Sequence, residues 1–149
     1  PEAAPYFALS FFAGLRTSQI LRLQKGDIRF DQKGILMPGA NHKTAKRFYV
    51  EGFDDNLWPW LEPWRNSKPL RKLGKSSFIK WRESVYTAAG IEFPHNAGRH
   101  SFCTYHIALH NDSSKTASLL THRGVSMLYS HYRGNATKVE GERFFSVRP

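Results

Sequence analysis

The sequence predicts a mainly α-helical domain with a small three-stranded antiparallel β-sheet near its start, an α+β arrangement. Three observations carry that expectation. Apolar residues at helical spacing dominate both ends of the chain, three short β-type runs broken by turn residues cluster between positions 27 and 50, and no strand pattern recurs after Asn56. A length of 149 residues suits one domain with enough chain to bury its own core.

From Ala3 to Ala13, Phe7, Leu9, Phe11 and Phe12 predict a buried helix, with Gly14 where it stops. Thr17 or Ser18 caps a short second helix through Leu23, and Ile20, Leu21 and Leu23 are expected to pack on the first. Lys25, Gly26 and Asp27 break it. Strands are expected over Asp27 to Phe30, Ile35 to Met37 and Lys46 to Val50, with a turn at Gln32 to Gly34 and a loop from Pro38 to Thr44. The remainder reads as helices separated by Gly, Pro and Ser. Trp58, Trp60 and Trp64, set around two prolines, read as packing residues rather than a base-stacking platform. No internal repeat, low-complexity segment or second domain boundary is visible.

Lys and Arg number 22 against 12 Asp and Glu, and the resulting charge of +10 favours a polyanionic partner, nucleic acid first. Seven basic residues and no acid lie between Arg65 and Arg82, and Lys68, Arg71, Lys72 and Lys75 within that stretch form a candidate phosphate track. A solvated loop would look the same. No apolar run approaches the ~20 residues of a membrane span, and no basic leader precedes Ala3 to Leu15. The single cysteine, Cys103, cannot form an internal disulfide. These features predict a cytoplasmic, nucleoid-associated protein with no membrane partner. Because the chain opens at Pro1 rather than Met, it is expected to be cut from something longer.

Phosphodiester chemistry through hard cations needs grouped carboxylates. The acids are scattered singly apart from Asp54 and Asp55, which disfavours a two-metal nuclease. His106 and His110 share a helix face at the spacing of some zinc sites, yet no Glu or Cys in the sequence completes a set, and the pair reads as surface or structural. Without a metal, the phosphodiester charge must be met by fixed cations, for which the planar fork of arginine is best suited. Arg16, just past a helix stop, and Arg99, in the donor-rich run Pro94 to Phe102, are the arginines so placed.

Gly14-Leu15-Arg16 followed by Ser18 to Leu23, a hairpin with Lys43-Thr44, Asn96-x-x-Arg99-His100-Ser101-Phe102, Leu120-Thr121-His122 and finally His131-Tyr132-Arg133 resemble, in that order, the catalytic domain of the tyrosine recombinase (phage integrase) family. The likeness runs from about residue 6 to 133. It implies that Arg16 and Arg99 are catalytic arginines, Lys43 the hairpin lysine, His122 the histidine that usually follows a glycine, and Tyr132 the nucleophile. Asn96 occupies the place where the family more often has histidine.

Three departures accompany the resemblance. Asn96 keeps a donor but cannot titrate, and the adjacent His95 competes for its place. Thr121 stands where glycine is usual. Nine residues rather than eight separate His122 from Tyr132, which leaves Tyr129 as a second candidate nucleophile.

The resemblance implies metal-independent cutting and rejoining of double-stranded DNA through a 3′-phosphotyrosine link, with no cofactor, in a tetramer on DNA. Residues 1–149 would then be a single catalytic domain without the family's preceding DNA-clamping domain. Residues 140 to 149, with Phe144, Phe145 and Val147, either dock on a neighbouring subunit or pack on their own domain. A non-catalytic DNA-binding module and a topoisomerase-like relaxing enzyme are the rival readings.

Overall fold

In the computed structural model, residues 3–24, 26–38, 47–66, 75–121, 125–132 and 134–149 are described. They form a mainly helical fold with one three-stranded antiparallel sheet of order β1-β2-β3. None of the described helices is long and apolar enough to cross a membrane.

Helix α1, Ala4–Phe12, starts with Pro5 in its first turn, where the missing amide hydrogen is unneeded, and buries Tyr6, Leu9 and Phe12. Gly14 follows at φ +65°, and a Cβ there would meet Leu120 at 2.5 Å and Phe102 at 2.7 Å. Only glycine admits that reversal beside those side chains. Helix α2, Thr17–Ile20, is shorter than the segment to Leu23 that the sequence predicts.

Strands β1, Ile28–Arg29, β2, Gly34–Pro38, and β3, Arg47–Glu51, pair with Ile28 opposite Ile35 and Met37 opposite Phe48. The first strand is shorter than expected because Asp27 turns inward. Its carboxylate accepts from the Gln24 amide at 2.6 Å and pairs with Arg47, anchoring the start of β3.

Helix α3, Leu57–Leu61, runs into a single 3₁₀ turn, Glu62–Trp64. Trp58 and Trp64 are buried and Trp60 packs against the core, so these tryptophans serve packing. Helix α4 spans Lys75–Ala89, α5 Ala97–His110, α6 Ser113–Leu119, α7 Ser126–Tyr132 and α8 Lys138–Ser146.

Helix α5 is the centre of the molecule, packed between α1 and α8. A Cβ on Gly98 would lie 2.2 Å from Ser10 Oγ and 3.0 Å from the Ser10 carbonyl carbon, so α1 and α5 touch backbone to backbone there. Helix α8 opens with a reciprocal cap: Thr137 N donates to Glu140 at 2.7 Å, and Glu140 N donates back to the Thr137 hydroxyl. Phe145 packs on Phe12, Phe102 and His106, while Phe144 stacks on Tyr105 at 4.5 Å. The terminal segment therefore packs on its own domain.

Candidate active site

Arg16, Asn96, Arg99 and Tyr132, separated by up to 116 positions in the chain, line one open cleft of about 500 Å³ together with His100, Cys103, Leu128 and His131. Lys43 and His122 lie outside the described residues, as do Lys68, Arg71 and Lys72. Lys75 begins α4, and its side chain and that of Tyr129 are likewise not described.

Arg16 is held by its backbone. It precedes α2 in an extended conformation, its amide donates to Gln19 Oε1 at 3.1 Å, and Gln19, wholly buried, donates through Nε2 to the Pro38 carbonyl at 3.2 Å. One glutamine thereby ties the arginine to the end of β2. Asn96 sits at the N-terminus of α5 with φ +58°, a conformation that asparagine tolerates better than most residues. Between the two adjacent candidates, Asn96 lines the cleft, whereas His95 lines a smaller neighbouring pocket.

Arg99 is only 7% exposed, and its guanidinium donates to the Gly14 carbonyl at 2.6 Å and to the Leu120 carbonyl at 3.4 Å. Burial, reinforced by the positive charge of Arg16, pulls it down to about 10. It is still a cation at neutral pH. Among the described residues no carboxylate lines the cleft, so two like charges face a space without a counterion. An anion placed there would relieve both.

Tyr132 ends α7, and Leu128, one turn earlier and buried, seats that helix on the core. Burial, with the Cys103 thiol nearby, raises the phenol above its ordinary value, and the Arg99 charge only partly offsets this. The phenol is therefore held protonated despite the cationic surroundings, and a proton acceptor is required. His100 supplies one in its Nε2–H tautomer, in which Nδ1, 2.5 Å from the Tyr132 hydroxyl, is the acceptor. In the sequence His100 stands within the Asn96 to Phe102 motif with no role attached to it. The signal available was its position one residue beyond Arg99 on a helix already assigned to the site.

Cys103, one turn beyond Arg99, is buried, and burial pushes its thiol up to about 11, with Arg99 opposing. It is an apolar wall rather than a nucleophile. Thr121 adopts φ +53°, a left-handed backbone expensive for a β-branched residue, at the position where glycine was the expected pattern.

Arg65, at the edge of the basic stretch, bonds Glu62 twice, at 2.8 and 2.9 Å, and its guanidinium lies 4.4 Å from the Phe30 ring centroid, while its side chain keeps partial exposure. Of the two readings of the His106 and His110 pair, surface or structural, the structural one fits His106, which has no exposure, and a carboxylate, Asp54, lies beside both rings. That carboxylate was invisible in the sequence because it lies more than 50 positions away.

This chain matches no family model, no curated protein and no solved structure. Its function has to be argued from its own residues.

Proposed function

We propose that this chain is the catalytic domain of a site-specific DNA recombinase of the tyrosine recombinase kind. The observation that carries this reading is a cleft lined by two arginines, with no carboxylate among the described residues, and by a tyrosine hydroxyl bonded to an imidazole. The +10 charge of the chain agrees with a polyanionic substrate.

In the proposed reaction His100 Nδ1 takes the phenolic proton as the Tyr132 oxygen attacks a DNA phosphorus. The bond to the 5′-oxygen breaks, leaving a 3′-phosphotyrosine, and a 5′-hydroxyl reverses the step without an external energy source. Arg16 and Arg99 neutralise charge on the non-bridging oxygens, with Asn96 and His122 as further donors. Lys43 protonates the departing 5′-oxygen.

The test is incubation with duplex DNA from the flanking genome carrying a nicked site that traps the covalent intermediate. A detergent-resistant adduct is expected from the native chain and from Tyr129→Phe, and none from Tyr132→Phe. Binding without an adduct would favour a non-catalytic module, and site-independent relaxation of supercoiled plasmid would favour a topoisomerase-like enzyme. Lys43→Ala should be rescued by a 5′-bridging sulfur, which leaves without a proton; no rescue would remove Lys43 from that role.

A further inference from the structure

A second group of chemistry-bearing side chains lies on α5, two turns beyond Arg99. His106 and His110, one turn apart, meet Asp54 from the segment between β3 and α3, and one donor atom of each residue lies within 4.8 Å of the other two. His110 Nε2 is 3.1 Å from Asp54 Oδ1, and His106 Nε2 is 3.7 Å from Asp54 Oδ2.

The tautomer of His106 follows from its neighbours. The Thr116 hydroxyl donates its only proton to the Asp112 carbonyl at 2.9 Å, so it accepts from His106 Nδ1, 2.8 Å away. The proton of His106 is thus on Nδ1, and Nε2 presents a lone pair. Fully buried, Nε2 has no hydrogen-bond partner among the described residues. A lone pair therefore faces a carboxylate oxygen across 3.7 Å, an arrangement that is repulsive unless a cation lies between.

We propose that Asp54, His106 and His110 form a zinc-binding site, with a fourth position open to water. Metal bonds of ~2.0–2.1 Å in tetrahedral geometry put ligand atoms about 3.4 Å apart. Measured to the one oxygen Oδ2 of Asp54, the separations are 3.2 Å to His110 Nε2 and 3.7 Å to His106 Nε2, which bracket that value, and the two histidine donor atoms lie within 4.8 Å of each other. Two imidazoles select zinc over magnesium or calcium, which prefer all-oxygen sets. The His106–Thr116 bond is the outer support that fixes a ligating ring. His110, which bonds Asp54 through Nε2, ligates as the neutral Nδ1–H tautomer: the Nε2 proton leaves to solvent and Nδ1 carries a proton taken from solvent. On the His106 side the wall is apolar, since Phe102 stacks on that ring at 4.9 Å and Phe145 meets it edge-on, while Asp54 and His110 keep partial exposure. The bound ion would fasten the segment before α3 to α5, away from the cleft residues.

The experiment is titration of the untagged, chelator-stripped chain with Zn²⁺ alone, followed by elemental analysis, calorimetry and thermal melting. One equivalent per chain and a raised Tm are expected, and Co²⁺ should give the visible bands of a four-coordinate nitrogen and oxygen site. Asp54→Asn and His110→Gln, both at partly exposed positions, should lose stoichiometric binding, and Thr116→Val should weaken it about 10–100-fold. His100→Ala with His131→Ala should bind as the native chain does. No binding by the native chain, binding that survives Asp54→Asn with His110→Gln, or loss only in the His100 and His131 variant would overturn the proposal.

Discussion

The Tyr132 hydroxyl lies 2.5 Å from Nδ1 of His100, so the only phenol among the described residues lining the cleft is bonded to a group able to take its proton. His100 is exposed, and its replacement should leave the fold intact. His100→Asn is expected to slow adduct formation about 10²–10⁴-fold, the range of a positioned base. DNA affinity in a gel-shift titration should not change. Adduct formation at the native rate would remove His100 from the mechanism.

Arg16 and Arg99 should separate in stability while agreeing in activity. Either arginine changed to lysine keeps the charge but loses the two-pronged donor geometry, and the cleavage rate should fall by orders of magnitude. Arg99→Ala should also lower the melting temperature, because it strands the Gly14 and Leu120 carbonyls that the guanidinium now bonds. Arg16→Ala removes no such bond among the described residues and should melt close to the native protein. Equal melting losses would contradict this assignment of supports.

The buried His106 fixes a pH dependence of stability. Its ring is lowered from 6.5 to about 3, chiefly by burial, so between those values the unfolded chain carries a proton that the folded chain refuses. Stability should rise with pH across that window, by at most about 1.4 kcal/mol per pH unit from this group, and gain nothing from it above the window. Denaturant titrations on metal-free protein at stepped pH would read the slope, and ring NMR should find His106 neutral at pH 5. A ring protonated in the folded chain at that pH would refute the account.

Thr121 offers a gain rather than a loss. Its φ of +53° costs a β-branched residue about 1–2 kcal/mol, of which the greater freedom of glycine in the unfolded chain takes back part. Thr121→Gly should therefore stabilise the protein by about 0.5–1 kcal/mol. A lower midpoint in urea would show that the threonine side chain contributes more than its backbone costs.

Adduct formation should continue in EDTA at temperatures well below the melting point, because the proposed strand-cutting groups are all side chains. Chelation should lower the melting temperature through the Asp54 site alone. Cleavage abolished by chelation in a chain that remains folded, with activity restored by added metal, would overturn the metal-free mechanism.

Much of the fold was legible because it is local. The apolar spacing of Phe7 to Phe12, the break at Gly14 and the turn before Ile35 each act within a few residues, and their elements formed within a few residues of the expected bounds. The site was legible where motifs lay within one turn, as with Asn96 and Arg99. What the sequence hid was every contact made through space. Nothing near Asp54 announces that it meets His110, and the choice between Asn96 and His95 depends on which residue takes the left-handed bend at the start of α5. The inward turn of Asp27 likewise depends on Arg47, across the hairpin.

The contact between Gly98 and Ser10 limits how this sequence can drift over generations. Trimming Ser10 to glycine would remove its Oγ and Cβ but leave its carbonyl carbon 3.0 Å from any Cβ at position 98. No change at position 10 can therefore compensate for a side chain at 98, since the obstacle is main chain that every residue shares. A descendant lineage could acquire alanine there only if the α1 main chain gave way by a few tenths of an ångström, and Gly14, whose carbonyl holds Arg99, follows at the end of that helix. Inheritance of the small residue and inheritance of the arginine's position are thereby a single event.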